Sequence, residues 1–297
     1  MRAFVTGATG FIGFAVVKEL IQAGHQVIGL TRSDAGAKFL RAAGAQAHRG
    51  DLEDLESLRS GAAMADGVIH LAFNHDFSKF AANCEMDRRA IETLGVALEG
   101  SSRPLLVTSG VATLTQGRIA TEKDEGLPPS AQYPRASEAT ALSFVVRGVN
   151  AAVMRLPQVH DPVKQGLVTY LITVARERGE SVYVGDGLNR WPAVHVLDAA
   201  RLYRLALEKQ QAGARYHAIG EEGVAARDIA EAVGRGLNVP VVSISSEDAA
   251  ARFGWIGGFV GLDMPASSAK TQEMLGWKPA GPGLIADLEQ MAYLASA

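Results

Sequence analysis

The sequence predicts an α/β fold: a doubly wound parallel sheet with a smaller C-terminal region covering it. Three observations carry that expectation. Apolar runs of strand length alternate with helix-periodic segments as far as Arg155. The runs are apolar on consecutive residues, as in Val68-Ile69 and Leu105-Leu106-Val107, which suits strands covered on both faces. The first run passes directly through a glycine-rich turn into a helix-periodic segment.

Taken in order, strands are expected at residues 3–6, 26–30, 45–48, 68–72, 105–109, 152–155 and 216–219. Helices are expected at 11–23, 53–62, 79–99 and 138–147, the first stopping at Gly24, which suits a left-handed cap. Beyond Arg155 the rhythm loosens, and Gly- and Pro-containing loops at 157–166, 185–187 and 254–265 separate shorter elements. The expected division is therefore 1–156 for the main domain and 157–297 for the covering region, with about 191–236 woven back into the sheet. No internal repeat or low-complexity tract is visible.

Composition narrows the function. The 297 residues are 47% hydrophobic and 21% charged, the balance of a soluble globular protein. A net charge of −3 provides no broad basic field for nucleic acid or an anionic membrane, so the expected partner is a small-molecule substrate. The longest apolar runs are strand-length. A strand starting at Arg2 leaves no room for a leader, which places the chain in the cytoplasm as an expectation. Cys84 is the only cysteine and no His/Asp/Glu cluster has ligand spacing, so neither a disulfide nor a metal is expected.

Thr6-Gly7-Ala8-Thr9-Gly10-Phe11-Ile12-Gly13 lies between the first strand and an amphipathic helix, the context in which glycine spacing carries meaning. Gly7 permits the sharp turn, Gly10 lets the backbone approach a pyrophosphate, and Gly13 permits close helix–strand packing. With Thr9 in the turn, the helix start at Phe11 and Ile12 offers unpaired N–H groups and a positive dipole end to phosphates. The second strand ends Leu30-Thr31-Arg32-Ser33. Where NAD is selected, an acid about 20 residues beyond the glycines binds the ribose hydroxyls. Here Arg32 can fork onto a 2′-phosphate and Ser33 can add a hydroxyl donor, so NADP(H) is favoured over NAD(H). Asp34, one position on, is the rival ribose ligand, and a solvated surface charge is the other reading of Arg32. Asp51, followed by Leu52, can meet the adenine amino group or cap the helix at Glu53.

In these residues and beyond them, nearly the whole chain resembles the short-chain dehydrogenase/reductase superfamily, on its extended or atypical, epimerase/dehydratase-like branch. Thr6-Gly-x-x-Gly-x-x-Gly13 matches the extended-type cofactor turn, His70-Leu71-Ala72 the fourth-strand segment, and Val107-Thr108-Ser109 the fifth-strand end. Arg155-Leu156-Pro157 resembles the segment passing the nicotinamide; His195-Val-x-Asp198-x-Ala200 and Leu275-Gly-Trp-Lys-Pro279 resemble later landmarks. The resemblance implies a Rossmann domain over 1–156, with cofactor contacts from Leu71, Ala72, Phe73, Thr108, Tyr133, Leu156 and Pro157. It also implies a homodimer built on helices 79–99 and 133–147.

The superfamily's active site is a Ser or Thr, a Tyr and a Lys four residues later, helped by an Asn. Tyr133 is present, but position 137 is serine; the hydroxyl slot falls on Gly110, with Ser109 serving if the register shifts; the Asn position is Asp87. In the family the lysine lowers the tyrosine pKa and holds the nicotinamide ribose. Arg135 points to a different helix face from Tyr133 and substitutes only if the helix starts late.

Asn74-His75-Asp76 follows the fourth strand at the carboxyl edge, where doubly wound sheets bind ligands. His75 can polarise a carbonyl or move a proton, or stand as an exposed loop histidine. His160, after the sixth strand, carries the same two readings. Trp191, with Tyr183 and Arg190, can wall a pocket or pack in the core. Asn74, His75, His160 and Trp191 are therefore the expected substrate contacts. His195 reads as structural, Asp198 as the cap of a helix at 199–208, and Cys84, beside Glu85 and Asp87, as unreactive. Residues 116–118 with Thr121-Glu122 read as a loop near the substrate.

Three functions fit this pattern. The leading one is an NADP(H)-dependent oxidoreductase acting on a small carbonyl or alcohol. A second keeps the cofactor without net redox, as nucleotide-sugar epimerases and dehydratases do. A third is a non-catalytic NADP(H)-sensing binding protein, to which the missing lysine and serine point.

Overall fold

The structure, a computed structural model, describes residues 1–112, 114–115 and 117–292. Strands form where the apolar runs fall: β1 (Arg2–Thr6), β2 (Gln26–Thr31), β3 (Gln46–Arg49), β4 (Gly67–His70), β5 (Pro104–Gly110) and β6 (Asn150–Leu156). They run parallel in the order β3-β2-β1-β4-β5-β6, and a later strand adds beside β6 to make seven. The order reverses between β1 and β4, so a crevice opens at their carboxyl ends, where such sheets bind ligands.

Helices α1 (Phe11–Gln22), α2 (Asp34–Ala42), α3 (Leu55–Ala63), α4 (Phe80–Leu98) and α5 (Ser137–Ser143) connect the strands. Alternate strand residues bury opposite ways. Ala3, Val5, Ile69, Leu106, Ala152 and Met154 join one core with Val16, Val17 and Leu20 of α1. Phe4, Ile28, Val68, Leu105, Val107 and Val153 join the other with Leu58 of α3, Ile91 and Leu94 of α4 and Ala141 of α5. Helix α2 was not expected. It is started by Ser33, whose hydroxyl accepts the Gly36 N–H at 3.0 Å.

The rest of the chain builds β7 (Gln158–His160), α6 (Val168–Arg178), β8 (Ser181–Val184), β9 (Arg190–His195), α7 (Val196–Lys209), β10 (Arg215–His217), β11 (Glu221–Ala225), α8 (Ala226–Leu237), β12 (Val241–Ile244), α9 (Ser246–Phe253), α10 (Gly257–Val260), α11 (Ala269–Leu275) and α12 (Leu284–Gln290). The return to the large sheet is narrower than 191–236. Only α7 and β10 join it, α7 packing beside α1 and β10 pairing with β6. The Gly220 N–H donates to the Ala193 carbonyl, which turns the chain away, so β11 pairs antiparallel with β9 in a separate sheet with β7. That sheet and the β8–β12 pair surround a second core of Val168, Ile172, Trp191, Ile229, Val233 and Phe253. No described helix is long and apolar enough to cross a membrane.

The junction of β6, β10 and α5 is polar and buried. The Arg155 guanidinium, wholly buried, donates to Glu138 Oε2 from Nε at 2.8 Å and to Oε1 from Nη2 at 2.6 Å. Burial raises the Glu138 carboxyl, but Arg155 and Arg215 together hold it below its ordinary value. His217 Nδ1 donates to the Ser267 carbonyl at 2.8 Å, and its Nε2 accepts from Arg155 at 3.1 Å. Burial, first, and the Arg155 charge lower the His217 pKa to about 4, so the folded chain keeps the ring neutral. An unfolded histidine titrates near 6.5, so this contribution is complete above that pH and is lost as pH falls toward 4. Denaturant unfolding should show about 3 kcal/mol of stability disappearing over that window in excess of a His217→Gln variant. Equal acid sensitivity of the two proteins would count against the assignment.

Candidate active site

The β1–α1 turn has the shape that a pyrophosphate requires. Gly7 sits at φ +70°, and a Cβ there would stand 2.9 Å from the Ala72 nitrogen. A Cβ at Gly13 would stand 2.0 Å from the Gly7 carbonyl oxygen. Only glycine satisfies both contacts. Helix α1 begins at an N-cap, Gly10, that has no side chain to cap it, which leaves the first-turn N–H groups of Phe11 and Ile12 facing the crevice edge beside exposed Thr9. Lys164, from the loop before α6, holds its ammonium 5.8 Å from the Phe11 ring.

At the adenosine end, Arg32 is exposed after β2, and Ser33 is committed as an acceptor to Gly36. A Cβ on Gly36 would touch Thr9, so this corner lies against the glycine turn. The exposed Asp34 carboxylate stands 3.5 Å from Arg49. Asp51 folds back on its own turn, its Oδ1 accepting the Glu53 and Asp54 N–H groups at 2.8 and 3.0 Å. The N-cap of α3 is nevertheless Asp54, not Asp51, because the helix starts at Leu55. Leu52 packs against the core beneath.

A buried polar chain links the glycine turn to α5, and the sequence reading did not see it. Thr6 Oγ1 accepts the Leu71 and Ala72 N–H groups, each at 3.2 Å, so its proton goes to His70 Nδ1 at 2.8 Å. His70 Nε2 then donates to Asp87 Oδ1 at 3.1 Å. The second Asp87 oxygen accepts the Ser137 hydroxyl at 2.5 Å, and Ser137 Oγ accepts from Arg135 Nε at 3.2 Å. Every donor meets an acceptor, which fixes the His70 tautomer. The positions that hold Asn and Lys in the resembling family are here bonded directly to each other.

Helix α5 begins at Ser137, so Tyr133 does not start a helix. It lies half-buried in a turn, its N–H donating to Ser130 Oγ at 3.1 Å and its carbonyl accepting the Ser130 N–H at 2.9 Å. Pro134 disfavours a helical conformation at Tyr133, which explains the late start. Arg135 is thereby freed from the helix face that would have turned it away. Its guanidinium lies 4.6 Å from the centre of the Phe73 ring. Among the described residues neither Nη atom has a hydrogen-bond partner, nor does the Tyr133 hydroxyl.

Ser109, half-buried at the end of β5, is level with Arg155 and shares the sheet face of Leu105 and Val107. Thr108 faces the other way, and its hydroxyl is taken by the Tyr203 hydroxyl of α7 at 2.7 Å. Burial pushes the Tyr203 phenol above its ordinary value. Gly110 is level with Leu156, whose carbonyl accepts the Val111 N–H; half-buried Pro157 follows.

Beyond β4 the chain makes an aromatic wall. Asn74 Oδ1 accepts the Asp76 N–H at 3.0 Å and holds His75 outward, edge-on to Phe73 and Phe77. Surrounding protein, then the charges of Arg135 and Lys164, hold the His75 imidazole below its ordinary pKa. Phe77 stacks on Trp255 with centroids 3.8 Å apart, and Tyr170 meets Trp255 edge-on at 5.1 Å.

Other expectations are corrected. His160 is wholly buried and bonds Asp287 of α12 at 2.6 Å, so it anchors the C-terminal helix away from any substrate. Trp191 is 1% exposed within the second core, because its strand faces inward there. Asp198 does not cap its own helix: the His195 ring accepts the Leu197 N–H, while Asp198 Oδ2 accepts the Ala280 and Gly281 N–H groups at 2.9 and 2.6 Å. Cys84, by contrast, agrees with its expectation: burial pushes the thiol up to about 11, with the Asp87 charge adding to it. Gln116 lies outside the described residues; Glu122 is buried, accepting from Thr271.

The glycine turn, the switch-point crevice and the polar chain that joins them to α5 fit a dinucleotide-binding α/β protein of the extended short-chain dehydrogenase/reductase class. Residues 3–220 match the NAD dependent epimerase/dehydratase family, and the chain belongs to that family. It is 48% identical over 296 residues to an uncharacterized protein of Schizosaccharomyces pombe, covering 99% of this chain and 100% of that one. It is 30% identical over 228 residues (73% of this chain, 67% of the other) to the 4-hydroxy-2-methyl-3-oxo-4-farnesyl-3,4-dihydroquinoline-1-oxide ketoreductase of Stigmatella aurantiaca. In fold it is similar to the dTDP-glucose 4,6-dehydratase of Streptomyces venezuelae, with a TM-score of 0.78 at 21% identity over 98% of this chain and 96% of that one. The family comprises nicotinamide-dependent oxidoreductases, epimerases and dehydratases, and its cofactor class fits the turn described above.

Gly13→Ala tests that turn. The added methyl cannot fit 2.0 Å from the Gly7 carbonyl, so the turn must open. Calorimetric affinity for the nicotinamide dinucleotide should fall at least ~10-fold, with a stability loss of about 1–3 kcal/mol from overpacking. Unchanged affinity would separate the turn from cofactor binding.

Proposed function

We propose that this chain is an NADP(H)-dependent oxidoreductase that reduces a small carbonyl substrate. The observations that support the reading are a complete dinucleotide turn and a tyrosine, four residues before the Ser137 end of the polar chain that starts at that turn, whose hydroxyl no described protein group occupies. A sensing protein has no need of that free hydroxyl. The ketoreductase among the relatives adds support.

The N–H groups of Phe11 and Ile12 would receive the pyrophosphate, with Leu71, Ala72 and Phe73 lining the crevice below. When bound, a nicotinamide cofactor supplies hydride to the carbonyl carbon. Tyr133 gives its hydroxyl proton to the carbonyl oxygen, and Ser109 is the hydroxyl nearest the family's usual hydrogen-bonding slot.

Preference for the 2′-phosphate rests on Arg32, exposed and without a described partner, and on Ser33, which accepts from Gly36 and keeps its own proton to donate. Asp34, the rival ligand for free ribose hydroxyls, has Arg49 beside it. Calorimetry should find NADPH bound more tightly than NADH. Arg32→Ala should remove most of the difference, about 1–3 kcal/mol for a charged hydrogen bond. Equal affinities in the parent protein would end this reading.

Tyr133→Phe should lower the reduction rate ~10²-fold or more with little change in NADPH affinity, as loss of a general acid does. A Tyr133→Phe enzyme with full turnover would move the proton-donor role to His75.

A further inference from the structure

Arg135 is built as a receptor and left empty-handed. Its Nε is fixed through Ser137 to Asp87, but both Asp87 oxygens are already taken, one by His70 and one by Ser137. The carboxylate is 2% exposed and does not reach the guanidinium directly. The guanidinium carbon lies 4.6 Å from the centre of the Phe73 ring. Two contacts therefore restrain the group, while its Nη edge has no partner among the described residues. A planar pair of N–H groups fixed in this way matches the two oxygens of a carboxylate.

The surroundings favour an anion and an apolar body together. His75 stands close enough to feel the Arg135 and Lys164 charges, and no carboxylate figures among the influences on it. Lys164 lies over Phe11 at the glycine turn, where it is placed to meet the cofactor phosphates. Arg135 lies at the other end, between the loop after β4 and the start of α5. From it the wall of Phe73, Phe80, Phe77, Trp255 and Tyr170 continues outward.

The geometry points to an acid as the substrate: a carbonyl compound with an aromatic or bulky apolar body, whose carboxylate is received by the Arg135 fork. This rests on the reductase reading above, and it concerns binding rather than turnover. The same fork chemistry would also suit an oxygen pair on the cofactor, so the test must separate the two sources.

Two unreactive probes of one shape do so, phenylacetate and its neutral amide, phenylacetamide, titrated calorimetrically into the NADP⁺-loaded protein. The acid should bind about ten-fold more tightly than the amide or better, as expected for a bidentate charged pair. Arg135→Met should erase that preference while NADPH affinity stays within about two-fold of the parent. Arg135→Lys, which keeps the charge but not the fork, should lose most of the preference, and its melting temperature shows whether the site still folds. Equal binding of acid and amide by the parent, or no binding of either, overturns the inference. So does an Arg135→Met protein that loses NADPH and phenylacetate affinity together, which would assign the fork to the cofactor. None of these measurements needs turnover, so an inactive Tyr133 and a wrong substrate class give different results.

Discussion

The hydroxyl of Thr6 is the point on which the carboxyl edge depends. It accepts two backbone N–H groups where the chain leaves β4, and it gives its proton to His70. Those two acceptances hold the Leu71–Ala72 backbone against Gly7, where a single Cβ would already collide. Valine would fill the same space but leave the part-buried Leu71 and Ala72 N–H groups without that acceptor. The cofactor turn and the far end of the crevice are thus held by one atom.

The placing of charge across the molecule follows one pattern. The carboxylates of the interior are consumed by structure: partly buried Glu138 by Arg155 and Arg215, Asp87 by His70 and Ser137, Glu122 by Thr271, Asp198 by the backbone at 280–281, Asp287 by His160. Lys164, Arg135 and His75 belong to the segments around the glycine turn and the loop after β4. A family position usually occupied by lysine has become serine, yet a cation still reaches the neighbourhood. The helix begins at Ser137, after the arginine rather than before it, and the side chain of Arg135 comes back to the same hydrogen-bond chain.

The sheet was legible because its signal is local and redundant. Val68-Ile69 and Leu105-Leu106-Val107 can only be covered strands, and the glycine spacing has meaning only between a strand and a helix. The polar chain from Thr6 to Arg135 was illegible for the opposite reason. Thr6 and His70 are 64 residues apart, and Ser137 and Asp87 are 50 apart, so no window along the sequence contains the pair. His160 misled because its place after a strand suggested the carboxyl edge, and Trp191 because it flanks the 185–187 turn, whereas Asp287 of α12 had claimed the one and the second core the other. The one usable clue at the active site was Pro134, whose effect on the preceding residue forecasts a helix starting late.

The covering layer is not a separate bead on the chain. The polypeptide enters it at β7, leaves through α7 and β10, returns at β11, and ties its last turns back onto Asp198 of α7. Such interlacing has a consequence for descent. Recombination exchanges segments that are continuous in sequence and bounded by few contacts, and no single cut satisfies both conditions here. A lineage with this arrangement cannot acquire a new specificity by importing a ready-made lid. It must change segments in place, and those at 73–80, 164–170 and 254–256, which carry the aromatic wall and Lys164, are where that change would be written.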